Sequence, residues 1–132
     1  MKKLIAIFTL VISTVMFSSP SYAEWTKIAS NIAGDDYYVD LTRIRENDGD
    51  IYFWEMTNYL KPTKNGRLSS LIYKQANCAL FRDKFLTDSY FDTPMAVGTA
   101  ASGSNEPDKD WTYPQPGSVS EAVLQEICNE LN

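Results

Sequence analysis

Histidine is absent from the 132 residues of the chain, and cysteine occurs only twice. The lack of histidine removes the commonest general base and the commonest neutral metal ligand. Basic residues are outnumbered, with 12 lysines and arginines against 17 acidic residues, and no basic cluster is large enough to attract a phosphate backbone. We therefore expect no nucleic acid partner, no metal site and no cofactor.

The longest apolar run is too short to span a membrane, which takes about 18 residues or more. It follows a short basic start, extends from Leu4 to Phe17 and precedes Ser21-Tyr22-Ala23, which places small residues at the two positions that a signal peptidase reads. This order is that of a secretory signal peptide. We expect residues 1–23 to be removed, which leaves one domain, residues 24–132, with no cysteine at its start to carry a lipid anchor. Loss of two of the 12 basic residues leaves 10 against 17 acidic ones, a net charge of −7.

The two cysteines, Cys78 and Cys128, lie 50 positions apart. Two cysteines in an exported protein normally pair with each other. Closing a loop of this length restricts the unfolded chain and contributes about 4 kcal/mol in the chain-entropy model. We predict a Cys78–Cys128 disulfide, and with it an oxidising compartment, either the periplasm or the outside of the cell.

Strand-forming segments separated by turn signals make up most of the mature chain. The Asp-Gly pair within Glu46–Asp50 is its strongest hairpin signal. The next strand, Ile51–Leu60, alternates between two faces, and we expect Tyr52, Trp54, Met56 and Leu60 to form its core face. Met95–Ala101 is predicted as a further strand of small residues.

The last segment of the chain has the pattern of a helix. Ser118 is a suitable N-cap, and Glu121 three residues later completes a capping box. Apolar residues and a cysteine then recur on one helical face, namely Val123, Leu124, Ile127, Cys128 and Leu131. The sequence therefore predicts an α+β fold, an antiparallel β-sheet of about five to six strands with a C-terminal α-helix packed on it and tied to it by the disulfide.

Catalytic and metal-binding patterns are weak throughout the chain. The segment Asp48-Gly49-Asp50 lacks the ligand spacing of a calcium loop and is better explained as a turn. The serines have no histidine to activate them, the cysteines are expected to be oxidised, and no feature selects one carboxylate pair among many. We predict that the protein is not an enzyme, and an enzyme of unrecognised type is the last alternative.

Binding residues can be proposed only from aromatic and basic content. The chain has three tryptophans, eight tyrosines and six phenylalanines, and such side chains serve both as interface anchors and as ordinary strand residues. The candidates are the four tyrosines most expected to be partly exposed, Tyr37, Tyr59, Tyr73 and Tyr113, and three residues of a basic turn, Lys61, Lys64 and Arg67.

The order of several short motifs resembles the surface-adhesin protein E family of Gram-negative bacteria. These motifs are Trp25–Ile28, Tyr37–Asp40, Phe53-Trp54, Cys78 followed by Phe81-Arg82, Trp111–Ser118 and the terminal Cys128. They run through essentially the whole mature chain. The resemblance implies a sheet with a C-terminal helix tied to it by the disulfide, and adhesion to host cells or extracellular matrix proteins. The alternative is a soluble periplasmic binding or inhibitor module, associated with the envelope, that has no host contact.

Overall fold

The computed structural model describes residues 23–131, so the predicted signal peptide lies outside the described residues except for Ala23. Seven strands and one α-helix occur in this part of the chain, and every strand pairing is antiparallel. The elements are β1 (Trp25–Ser30), β2 (Asp36–Asp40), β3 (Arg45–Asn47), β4 (Asp50–Asn58), β5 (Ser69–Asn77), β6 (Arg82–Phe91), β7 (Ser102–Ser104) and α1 (Val119–Glu130). The predicted α+β class is confirmed.

The strand order is β1-β2-β4-β5-β6-β7, and β3 pairs with β4 beyond the end of β2. The sheet has more strands than the predicted five to six because it includes two strands of three residues, β3 and β7. At the hairpin between β3 and β4, Asp48 and Gly49 both have positive φ angles, 54° and 82°. That pair of angles is typical of a type I′ turn, which confirms the predicted hairpin.

The prediction of a strand at Met95–Ala101 is wrong. The chain instead forms a short 3₁₀ turn at Pro94–Ala96, in which Met95 and Ala96 have φ angles of 59° and 53°. Proline has no N–H for a strand ladder, and the N–H groups of Met95 and Ala96 donate to the side chains of Asn58 and Ser69. The turn is thereby held against the sheet.

The strand that pairs with β6 at this edge is β7, which begins one residue after the segment predicted as a strand. Its central residue, Gly103, lies so close to β6 that a Cβ atom there would come within 2.5 Å of the Asp88 carbonyl oxygen. Only glycine allows this approach without displacement of the backbone.

The core face of β4 is the reverse of the predicted one. Ile51 and Phe53 are buried, 3% and 0% exposed, whereas Tyr52 and Trp54 on the opposite face are only half-buried and Leu60 is exposed. Both faces of the strand carry apolar residues, so the alternation separates the faces but does not indicate which of them the helix covers. Met56 on the second face is also buried, since the Pro94–Ala96 turn lies against β4 and β5 there.

The helix α1 begins as predicted. The Ser118 hydroxyl accepts a hydrogen bond from the Glu121 N–H, at 3.2 Å, while the Glu121 carboxylate accepts from Gly117 N–H at 3.1 Å, one residue before the position a capping box uses. The helix buries Val123, Leu124 and Ile127 against Val39, Ile51, Phe53 and Ala76 of the sheet.

The predicted disulfide is present. Cys128 near the end of α1 is bonded to Cys78 in the turn between β5 and β6. The helix is therefore fixed over one end of the sheet face, and the rest of that face is left uncovered by it. Within residues 23–131, no helix is both long enough and apolar enough to cross a membrane.

Candidate functional site

A cavity of about 510 Å³ lies on the sheet face beside α1. Strands β2, β4, β5 and β6 form its floor, and residues of the segment before the helix and of its first turn form one side. Four aromatic side chains line it, Tyr37, Tyr59, Phe85 and Tyr90. A concave site of this volume, with aromatic walls and a few polar groups, is of the kind that holds small ligands.

Three charged side chains meet on the floor of the cavity, and all three are more than nine-tenths buried. The Lys74 ammonium lies 3.5 Å from a Glu55 carboxylate oxygen and 3.3 Å from Asp83 Oδ2. Burial lowers the pKa of Lys74, but the attraction of the two carboxylates outweighs this and leaves the pKa above its ordinary value. Lys74 is therefore a cation at neutral pH.

This protonation state limits what the cavity can do chemically. A lysine acts as a nucleophile or a general base only when its pKa is lowered toward neutrality, and here it is raised. In residues 23–131 no group of histidine, cysteine and acidic side chains has an arrangement suited to a metal ion.

The opposite face of the sheet carries an aromatic cluster that no helix of the described residues covers. Trp54 on β4 and Tyr73 on β5 are directly paired across the strands, and their ring centroids lie 4.6 Å apart. Tyr52 lies beside them, 6.2 Å from Tyr73. All three side chains are half-buried, so each presents part of its ring to solvent.

Two arginines extend over this aromatic cluster. The Arg43 guanidinium lies 5.8 Å from the Trp54 ring and that of Arg45 lies 5.8 Å from the Tyr52 ring, within reach of a cation–π interaction. Arg43 is also held by Asp40, whose carboxylate it contacts at 2.6 Å. Burial raises the pKa of Asp40, but hydrogen bonds from Thr42 and Arg43 outweigh it and keep that pKa below its ordinary value.

A second aromatic and basic group lies toward the other edge of the same face. Arg82 and Lys84 on β6 lie 4.3 Å and 4.7 Å from the ring of Trp111. Strand alternation places these two basic side chains on the face of Gln75 and Asn77, with which they pair. We call the whole surface, from Arg43 and Arg45 through Trp54 and Tyr73 to Arg82, Lys84 and Trp111, the open face.

The open face is positively charged although the chain as a whole is acidic. From β1 to β6 it carries five cations against three carboxylates. The cations are Lys27, Arg43, Arg45, Arg82 and Lys84, and the carboxylates are Asp36, Asp40 and Asp50. Asp36 and Asp40 are paired with Lys27 and Arg43, so the remaining cations dominate the exposed surface.

The candidates chosen from the sequence lie in separate places and do not form one site. Tyr37 and Tyr59 line the cavity, Tyr73 belongs to the open face, and Tyr113 is 60% exposed beyond β6. The basic turn between β4 and β5 exposes Lys61 and Lys64 and pairs Arg67 with Asp92 at 2.7 Å. The partial exposure expected of the four tyrosines is confirmed, and their roles in binding stay predictions.

Sequence reasoning missed the central residues of both surfaces. Trp54 was assigned to the core, and Lys74 was not selected although its position carries a signal. Lys74 lies between Ile72 and Ala76, which occupy the same strand face and are buried. A lysine in such a position requires a buried carboxylate partner, which the register across β4 and β6 then supplies.

The sequence profile described as surface-adhesin protein E matches residues 25–129. The chain belongs to this family. No curated protein matches the sequence.

Solved structures that resemble this one carry the same family name. Crystal form II of Haemophilus influenzae protein E has a TM-score of 0.62 at 19% identity, with 83% of this chain and 91% of that chain covered. A selenomethionine form of the same protein gives 0.61 and 19%, with 83% and 89% covered. Protein E from a non-typeable strain gives 0.57 and 18%, with 84% and 79% covered. At these identities the likeness establishes a shared fold.

Proposed function

We propose that residues 24–132 form an exported, non-catalytic binding domain that attaches to a protein of host cells or of the extracellular matrix through the open face. Membership in a family named for surface adhesion supports the class of function. The raised pKa of Lys74 and the absence of histidine support a role without catalysis.

The observation that carries the proposal is the composition of the open face. Trp54 and Tyr73 form a half-exposed pair, and Arg43 and Arg45 extend over the rings of Trp54 and Tyr52. Tryptophan, tyrosine and arginine are the residues most often responsible for binding energy in protein interfaces. Their aliphatic and aromatic parts supply contact area while the guanidinium groups supply hydrogen bonds to a partner.

The charge of the open face indicates the chemistry of the partner. Arg45, Arg82 and Lys84 have no acidic partner among the ion pairs of the described residues, so they are available to carboxylates of another protein. The acidic net charge of the chain, −5 over all residues, disfavours a nucleic acid, whose phosphates would be repelled outside this face. We therefore infer an acidic segment of a host or matrix protein as the partner.

Location provides the first test. The full chain is expressed in a Gram-negative host, and its mature form is followed in periplasm, on intact cells and in the medium. We expect the mature form on cells or in the medium. Retention in the periplasm alone would contradict adhesion to host proteins and favour the alternative of a soluble periplasmic binding or inhibitor module.

Binding variants provide the second test. The exported protein is measured by surface plasmon resonance against a panel of purified matrix proteins. Trp54→Ala should weaken binding by about 30-fold or more, as for an interface anchor, and Arg45→Ala by roughly fivefold. Lys109→Ala, in an exposed loop outside the open face, is the matched control and should leave the affinity unchanged. Thermal unfolding of each variant checks that the fold is retained.

The same experiment distinguishes the open face from the basic turn. Lys64→Ala removes an exposed charge of that turn without change to the open face. If Lys64→Ala abolishes binding while Arg45→Ala and Trp54→Ala retain it, the binding surface is the basic turn predicted from the sequence and not the open face.

A further inference from the structure

The cavity beside α1 lies on the opposite side of the sheet from the open face, and its charge has the opposite sign. Three carboxylates line it, Glu55, Asp83 and Asp108, and Lys74 is the one cation among its lining residues. The lysine is already shared by two of the carboxylates. The cavity therefore has a net negative charge, which an additional cation would reduce.

One of these carboxylates, Asp83, makes only a long contact with Lys74 through its solvent-shielded Oδ2. No N–H or O–H of residues 23–131 donates to the buried Asp83 Oδ2 with hydrogen-bond geometry. Its contact with the Lys74 ammonium is 3.3 Å long, and the lysine's contact with Glu55 is 3.5 Å, whereas charge-assisted hydrogen bonds are typically about 2.7–2.9 Å. A buried carboxylate oxygen without a short hydrogen bond favours the binding of a further N–H or O–H donor.

Aromatic rings surround the same space. Tyr37, Tyr59 and Tyr90 line the cavity, and ring faces attract cations. Burial raises the pKa of Tyr37, although a hydrogen bond from Asn31 opposes this shift. Burial and the Asp88 carboxylate raise the pKa of Tyr90. The combination of tyrosine rings and carboxylates suits a cation with an apolar stem.

We infer that this cavity binds an organic cation, an alkylammonium or alkylguanidinium group, whose N–H groups donate to Asp83 and whose stem lies against the tyrosine rings. An anion would meet the surplus of carboxylates, and an uncharged alkyl group would add no donor to the long contact between Lys74 and Asp83. The cation could be supplied by a free amine or by a lysine or arginine side chain of another protein, since the two share this chemistry. The inference does not depend on the proposed function, because the open face lies on the other side of the sheet.

The test is an NMR titration of the exported protein, labelled with ¹⁵N, with n-butylammonium and n-butylguanidinium. n-Butanol is the uncharged control of the same stem length. We expect saturable shifts confined to amides of the cavity strands for both cations and none for butanol. A parallel titration with Nα-acetyl-lysine methylamide distinguishes the sources, because binding of this compound shows that a side chain attached to a peptide backbone also enters.

Two variants locate the site. Asp83→Asn should weaken binding of butylammonium roughly tenfold or more, since it removes a charged acceptor. Tyr59→Leu keeps an apolar side chain in the wall and should weaken binding about three- to tenfold through loss of a ring face. Asp48→Asn removes the same charge from the exposed β3–β4 turn, where asparagine tolerates the positive φ angle, and should have no effect.

The outcomes are separable from one another. If Asp83→Asn fails to fold, as judged by its NMR spectrum, Tyr59→Leu alone decides the matter. Equal shifts with butanol and butylammonium, no saturable shifts, shifts outside the cavity, or an effect of Asp48→Asn equal to that of Tyr59→Leu would each overturn the inference. Failure here would leave binding through the open face untouched, and loss of matrix binding in Trp54→Ala would leave the cation site untouched.

Discussion

Replacement of Lys74 by methionine should be among the most destabilising single changes in this protein. The side chain is 3% exposed and is within 3.5 Å of two buried carboxylates. Methionine fills much of the same volume but removes the charge that both Glu55 and Asp83 require. Removing one partner of a buried ion pair costs about 3–5 kcal/mol, and here one change leaves two carboxylates without a cation.

The magnitude can be measured by urea unfolding at pH 7, followed by the fluorescence of the three tryptophans. With a slope of about 1–3 kcal/mol per molar urea for a small domain, a loss of 3–5 kcal/mol lowers the midpoint by roughly 2 M. Because small domains have only about 5–15 kcal/mol in total, this loss removes about a fifth of the stability or more.

The control replaces the whole charged cluster. Lys74→Met combined with Glu55→Gln and Asp83→Asn leaves no buried charge at the floor of the cavity, so most of the lost stability should return. The reasoning is refuted if Lys74→Met costs less than about 1 kcal/mol, or if the triple variant is as unstable as the single one.

Three further changes have expected outcomes that the same unfolding assay checks. Replacing both Cys78 and Cys128 by serine should lower stability by about 4 kcal/mol, and an unchanged midpoint would mean that the covalent link contributes nothing. Asp40→Asn should cost about 1–2 kcal/mol at pH 7 through loss of its charged bonds to the half-exposed Arg43 and to backbone. Because the folded-state pKa of Asp40 is lowered from 3.8, this contribution is present above pH 3.8 and is lost as the pH falls through the folded-state pKa. Wild type and variant should therefore converge in stability in acid. A constant difference down to pH 2 would contradict this pH dependence. Ser118→Ala should cost about 0.5–2 kcal/mol as an N-cap loss, with Ser120→Ala in the first turn of the helix as the control.

Local signals predicted the elements whose structure depends on local chemistry. The Asp48-Gly49 turn and the Ser118 cap each follow from the conformational preferences of one or two residues, and both are present. The disulfide followed from the count and compartment of the cysteines, Cys78 and Cys128. The Pro94–Ala96 turn was missed because small residues such as Ala96 fit a strand as well as a turn, and what decides between them is a side-chain contact made by distant Ser69.

The alternation of residues along β4 could not indicate which face of the strand is covered, because tertiary structure decides this. Phe53 and Trp54 are neighbours in sequence and are comparably apolar, yet one is fully buried under α1 and the other is half-exposed. The binding surfaces depend on this same choice. With Trp54 predicted in the core, the open face could not be recognised. The contact between Lys74 and Asp83 of the neighbouring strand also depends on which face the helix covers, and the sequence did not indicate it.

Both proposed binding surfaces are accessible because each face of the sheet is only partly covered. Helix α1, fixed by Cys128, covers one end of its face and leaves the cavity, while the Pro94–Ala96 turn covers part of the other and leaves the open face. Carboxylates line the cavity and cations dominate the open face, so the two surfaces favour partners of opposite charge. The two surfaces share no residue and lie on opposite sides of the sheet. The two sites should therefore bind independently, and Arg45→Ala should weaken protein binding without changing the affinity of the cavity for butylammonium.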